Sequence, residues 1–210
     1  MMGEAVVKLR LLGPILGLFL ALAWGINFDA QSQIKTGKYE IRVAGFKIGD
    51  MEAKLTQSGL QQSLLIQSDV SFWFFGKIYL NHEINCQYRD DQLILSQVTS
   101  ESNKGDFFSK IEWNENHYKV DAKTYEYENN KSIAQIIEGS TAKFYFEKPN
   151  DGDFIVSETF GLLSKVEEIE NDVFEIEING NRNRFYYTGQ ELTKVVVQNP
   201  IKNYVIQKVN

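Results

Sequence analysis

From Tyr39 onward, apolar and polar residues alternate with a period of two. Tyr39, Ile41 and Val43 are interleaved with Glu40 and Arg42, and Met51, Ala53 and Leu55 with Glu52 and Lys54. Ile78, Leu80, His82, Ile84, Cys86 and Tyr88 form one face of a run whose other face is Tyr79, Asn81, Glu83, Asn85, Gln87 and Arg89. The pattern returns in Phe107, Ser109, Ile111 and Trp113, in Tyr118, Val120 and Ala122, and in Phe174, Ile176 and Ile178. Successive side chains of a strand point to opposite faces, so strict alternation describes strands with one dry and one wet side. That is the habit of antiparallel sheets.

The punctuation suits hairpins. Ala44-Gly45, Ser58-Gly59, Arg89-Asp90-Asp91, Asn114-Glu115-Asn116, Asn179-Gly180-Asn181 and Thr188-Gly189 are short polar or glycine turns between apolar runs. They recur at roughly the interval of an up-and-down meander rather than of βαβ crossovers. Several runs are long, which predicts a mainly β fold: a strongly curved antiparallel sheet or half-open barrel. One segment departs from the pattern. In SIAQIIEGSTAKFYFEKPN, Ile133, Ile136 and Ile137, then Ala142, Tyr145 and Phe146, have helical spacing, and Pro149 with Asp151-Gly152 stops it. A short helical segment near residues 132–147 is expected to lie across the sheet. No linker divides the chain, so residues 33–210 are expected to form a single domain.

The N-terminus reads as a leader. Lys8 and Arg10 precede the apolar run LLGPILGLFLALAWG, the layout of a secretory signal over residues 1–32. Small residues at Ala30 and Ser32 offer a cleavage site that leaves Gln33 first, and Ala21-Leu22-Ala23 is a second candidate. An uncleaved anchor is the competing reading, although Gly13, Pro14 and Gly17 interrupt an apolar stretch short of the ~20 residues that span a bilayer. The expectation is export to the periplasm or the extracellular space, with no stable transmembrane span after cleavage. A single cysteine, Cys86, gives no intramolecular disulfide, and its place on an apolar strand face reads as core. Net charge is −6, and no Lys/Arg cluster supplies the basic face that nucleic acid requires. The same balance argues against attraction to an anionic membrane.

No catalytic motif emerges. His82 and His117 are the only histidines, and neither belongs to a zinc-binding spacing. No serine sits in a G-x-S-x-G elbow, and no glycine-rich loop follows a strand. Cys86 and His82 share a strand face but stand about 13 Å apart at strand rise. The expectation is a non-enzymatic protein without cofactor or metal.

The stretch SFWFFGKIYL is the exception to one-sided alternation. Val70, Phe72 and Phe74 fall on one face, Trp73 and Phe75 on the other, and Tyr79 follows beyond Gly76. A strand apolar on both faces must be covered on both. The mid-chain helical segment, a ligand cavity or a membrane surface could each provide the second cover. The ligand reading takes Phe72, Trp73, Phe74, Phe75 and Tyr79 as lining, with Phe144 and Phe146 from the covering segment. The bound partner would be an apolar small molecule, a lipid or an acyl chain. The alternative is an envelope scaffold or protein-interaction module with a filled core and an unidentified protein partner.

Longer motifs carry a resemblance. Tyr39-x-Ile41-x-Val43-x-Gly45-x-x-Ile48-Gly49 after a leader resembles the opening of a family of small exported bacterial proteins of unknown function. Trp113-Asn114 before His117-Tyr118, Tyr145-Phe146-Glu147-x-Pro149, Glu158-x-Phe160-Gly161, and Tyr187-x-Gly189 with Val195-x-Val197 fit the same family. The resemblance implies an antiparallel half-barrel or spiral roll. Folds of that kind include periplasmic lipoprotein carriers that hold acyl chains on the concave face. It brings no catalytic residues.

Overall fold

The chain reverses where the polar turns stand. Asp90 and Asp91 take positive φ of 52° and 60°, and Ala44 and Gly45 take 48° and 86°. Two successive positive φ values give the turn whose twist matches that of paired strands. In the computed structural model, residues 32–73, 77–124, 127–199 and 202–209 are described. All but the last residue of the leader expected over residues 1–32 therefore lies outside the described residues.

Among the described residues sixteen strands join one sheet. Seven long strands come first: β1 (Gln33–Val43), β2 (Phe46–Ser58), β3 (Gln61–Trp73), β4 (Lys77–Arg89), β5 (Gln92–Ser102), β6 (Phe107–Asn114) and β7 (His117–Lys123). Three two-residue strands follow, β8 (Glu128–Asn129), β9 (Ser132–Ile133) and β10 (Gly139–Ser140). The rest are β11 (Phe154–Ser157), β12 (Leu162–Glu170), β13 (Val173–Ile178), β14 (Asn181–Thr188), β15 (Glu191–Val197) and β16 (Tyr204–Val209). Spatial order runs from β10 through β11 to β16, then from β1 to β8, and β9 also pairs with β7. First and last strands therefore meet in the middle of the sheet, with Lys38 opposite Val209 and Arg42 opposite Val205. Its two free edges are neighbours in sequence. They do not hydrogen-bond to each other through strands, so the antiparallel meander curls into an open roll.

The inner face carries the alternating apolar set, including Tyr39, Met51, Leu64, Cys86, Ile111, Tyr118, Phe174 and Val195, all buried. The expected helical segment contracts to one 3-10 turn, Lys143–Tyr145. Ser132 and Ile133 pair instead with Lys119 and Tyr118. Ile137 accepts a hydrogen bond from the Leu93 amide at 2.8 Å, and its own amide donates to the Tyr118 hydroxyl at 3.3 Å. A helix of a few residues closes too few bonds to offset its nucleation, while strand ends offer this backbone ready partners.

Residues 137–148 thereby become a plug. Phe144 stands edge-on to Phe185 at 4.8 Å and Tyr145 edge-on to Tyr39 at 5.2 Å. The Tyr187 hydroxyl donates to the Phe144 carbonyl at 2.8 Å. The plug lies at the rim that carries the β4–β5 and β12–β13 turns, where Lys143 Nζ is 3.8 Å from Asp91 and Lys148 is ion-paired with Asp172. The opposite rim, with the β1–β2, β3–β4 and β5–β6 turns, carries the aromatic stretch.

Candidate functional site: the aromatic rim and the seam

The β3–β4 hairpin outruns its neighbours. β2 pairs with β3 only as far as Gly49 opposite Val70, and β4 pairs with β5 only as far as Leu80 opposite Ser102. Ser71, Phe72 and Trp73 pair solely with Tyr79, Ile78 and Lys77. The projecting ribbon is held at its side by Asn103, whose Nδ2 donates to the Lys77 carbonyl at 2.7 Å and whose Oδ1 accepts from the Tyr79 amide at 3.3 Å.

Register sorts the ribbon's side chains. Val70, Phe72, Ile78 and Leu80 face inward; Val70 is buried, the other three are half-buried, and Phe72 and Leu80 pack against the core. Trp73 and Tyr79 face outward and are 78% and 48% exposed. Phe46 at the start of β2 is 77% exposed, and continuing the β2–β3 register brings it level with Trp73.

One step below the inward aromatic row lies a polar one. Ser68, His82 and Ser100 are cross-strand partners on the inner face. The His82 ring lies 6.1 Å from that of Phe107, and burial lowers its pKa to about 4, leaving a neutral imidazole at pH 7. The Ser100 hydroxyl is buried without a hydrogen-bond partner. Serine and histidine are thus adjacent without a bond between them, and among the described residues no carboxylate orients the imidazole as a catalytic base requires.

A second polar cluster sits where the two sheet edges approach. Glu158, fully buried, receives the Ala142 amide at 2.8 Å and the Thr141 hydroxyl, with the Cys86 sulfur 3.8 Å away. Tyr88 donates to Ser140 at 2.7 Å. From the other edge, Asn129 Nδ2 donates to the carbonyls of Phe160 and Gly161, each at 3.0 Å, and Ser109 donates to Thr159 at 2.7 Å. Side chains therefore join the edges that backbone ladders leave apart. Burial first, then the neighbouring Glu158 charge, pushes the Cys86 thiol well up, so it stays protonated and unreactive. Among the described residues, no three His, Cys, Asp or Glu side chains are placed to hold a metal.

The domain family of unknown function DUF6134 matches residues 39–209. The chain belongs to that family. The DUF6134 match starts at Tyr39 and ends at Val209, so it takes in the β1–β16 join, the rim and the seam. No curated protein matches the chain. A solved structure, a beta-barrel-like protein of the domain of unknown function DUF1849 from Brucella abortus, is similar with a TM-score of 0.49 and 9% identity, covering 83% of this chain and 95% of that one.

Within this DUF6134 domain the side chains expected to line one ligand site occupy two places. Phe72 faces inward at the aromatic rim, while Trp73 and Tyr79 share its ribbon but face solvent. Phe144, 3% exposed, and Phe146 belong to the plug at the other rim. Phe74 and Phe75 lie outside the described residues. Glu158 escaped the sequence reading of chemistry because a lone carboxylate near a turn resembles a solvated one. Its only signal was the Glu158-x-Phe160-Gly161 motif. Two open grooves, of about 650 Å³ beside Glu101, Asp121 and Lys123 and about 680 Å³ beside Asp50, Gln67 and Glu83, are walled mainly by outward polar residues. Phe107 and Phe108 line the first groove as well, and Tyr39 and Met51 the second.

Proposed function

We propose that this domain of unknown function is an exported, non-catalytic binding protein that takes an apolar group, such as an acyl chain, at the aromatic rim. One observation carries the reading. Along β3 and β4 the inner face is buried at Ile66 and Cys86, crosses the polar Ser68–His82 row, and turns apolar again at its outer end, where Phe72, Ile78 and Leu80 are half-buried. A half-covered apolar row at the mouth of a roll is where an alkyl group gains burial. The leader pattern supports export. An unreactive thiol and an unoriented neutral imidazole support a role without catalysis. The packed Phe144, Phe185, Tyr145 and Tyr39 fill the plugged end, so a ligand would be confined to the other rim.

Titration with a fluorescent fatty-acid analogue, displaced by unlabelled dodecanoic to octadecanoic acids, tests this. The expected result is saturable binding, weakened about tenfold or more by Phe72→Ser, in line with roughly 1.5–3 kcal/mol for a buried aromatic. Absence of saturable binding, with a lipid-free protein in native mass spectrometry, refutes it. A stoichiometric envelope protein recovered in that case would favour the alternative, a filled-core interaction module.

A further inference from the structure

We infer that the apolar ligand of the aromatic rim carries an uncharged polar head, a hydroxyl, ester or amide, which enters first and hydrogen-bonds to Ser68, His82 and Ser100. The inference rests on the apolar-ligand reading and adds the chemistry of the head. Ser68, His82 and Ser100 lie directly opposite one another on β3, β4 and β5. Such partners stand about 5 Å apart between Cβ atoms. Ser100 is 1% exposed with an unpartnered hydroxyl, and Ser68 and His82 are half-buried. Among the described residues none of the three side chains makes a hydrogen bond. Polar groups taken out of water are nearly always paired, so an unpaired row facing the mouth of a roll is a row awaiting a partner.

The rungs on either side are apolar. Toward the plug, Ile66, Ile84 and Val98 are cross-strand partners, and Ile66 and Val98 are buried. Toward the mouth come Val70 and Leu80, then Phe72 and Ile78. Phe107, opposite Ser100 on β6, ends the row with its ring 6.1 Å from that of His82. A head that bonds to the row is stopped by Ile66 and Val98, and its chain lies back along Leu80 and Ile78. A few placed polar groups in an apolar lining fix a ligand's orientation and its chemistry.

Charge decides which head fits. Following the register from Ser68 through Met51 and Tyr39 leads to Lys208, which is ion-paired with Glu191. No other cation shares the row among the described residues. Burial keeps His82 neutral at pH 7, so its ring offers one donor and one acceptor, and each serine hydroxyl can do both. A carboxylate brought here would lose its hydration with no positive partner in return. A hydroxyl or an ester carbonyl loses far less and finds donors in place.

The test uses protein recovered from cells expressing the full chain and a fluorescent acyl-chain probe. Dodecanol, methyl dodecanoate and dodecanoate, which share a chain and differ in the head, compete with the probe. Dodecanol and the ester should displace it at concentrations roughly tenfold or more below that of dodecanoate, the effect of one or two added hydrogen bonds. In Ser68→Ala with Ser100→Ala that ratio should fall toward one. The double variant removes unbonded hydroxyls and should melt no lower than wild type. The imidazole nitrogen resonances of His82, told from those of His117 by His117→Gln, should move when dodecanol is added. Displacement by dodecanoate as readily as by dodecanol overturns the polar-head inference and leaves the acyl-binding reading standing. Absence of saturable probe binding overturns both. An alcohol preference that survives the serine double variant places the head in solvent at the mouth and overturns the inference. So do His82 resonances that no ligand moves, which would make the row a site for water alone.

Discussion

Gly161→Ala is the sharpest probe of the seam. Gly161 has a φ of 60°, and a Cβ there would stand 2.2 Å from Val120 Cγ1 and 3.3 Å from Asn129 Nδ2. Three costs combine. A left-handed backbone with a side chain costs about 1–2 kcal/mol. Forcing a methyl into packed Val120 costs roughly 1–3 kcal/mol. Displacing Asn129 loosens its two hydrogen bonds to Phe160 and Gly161, each contributing about 1 kcal/mol. Even if the terms overlap, about 3–5 kcal/mol is expected, a fall of roughly 6–20 °C in Tm for a domain of this size. Gly45→Ala is the control. Its φ is 86°, but nothing lies within 4 Å of the added carbon, so only the backbone cost of about 1–2 kcal/mol applies. Urea and thermal unfolding of both variants, and of Gly161→Ala combined with Val120→Ala, provide the measurement. The double variant should be less destabilised than the two single losses summed, because Val120→Ala removes the clashing methyl. Equal losses for Gly161→Ala and Gly45→Ala, or strict additivity with Val120→Ala, would show that the β11–β12 turn does not close against β7.

Two titratable groups give further checks. His82 is held near a pKa of about 4 by burial, so the unfolded chain binds its proton first. Its contribution is complete above about pH 6.5, the unfolded value, and is lost as pH falls toward 4. Tm should drop less over that window in His82→Gln than in wild type; parallel profiles would contradict the assignment. Cys86 should resist a thiol reagent such as dithionitrobenzoate in native protein and react fully in denaturant. Prompt labelling of the native state would place the sulfur nearer solvent than the seam allows.

Alternation made most of the roll legible. The turns at Ala44-Gly45, Asp90-Asp91, Glu115-Asn116 and Asn179-Gly180 stand between strands, because turn residues and period-two faces are local properties. Residues 132–147 misled for the opposite reason. Isoleucines spaced three and four apart have the same look whether a helix buries them or an extended segment lays them against strand ends. Only the partners, Leu93 and Tyr118, decide between the two, and they are far away in sequence. Register likewise separated Phe72 from Trp73 and Tyr79 as alternation requires. Nothing local revealed that the ribbon outruns its neighbours, or that Phe144 serves the opposite rim. The bonds of Glu158 to Thr141 and Ala142, and of Asn129 to Phe160 and Gly161, were invisible because each joins residues distant in sequence.

The pairing of β1 with β16 has a consequence for how the molecule comes into being. The central rungs of this sheet are supplied by β1 and β16, so β1 cannot acquire its inner neighbour until β16 has been synthesised. Contacts of such long sequence separation form late and slowly. Removing β16 would therefore divide the sheet down its middle rather than trim its margin.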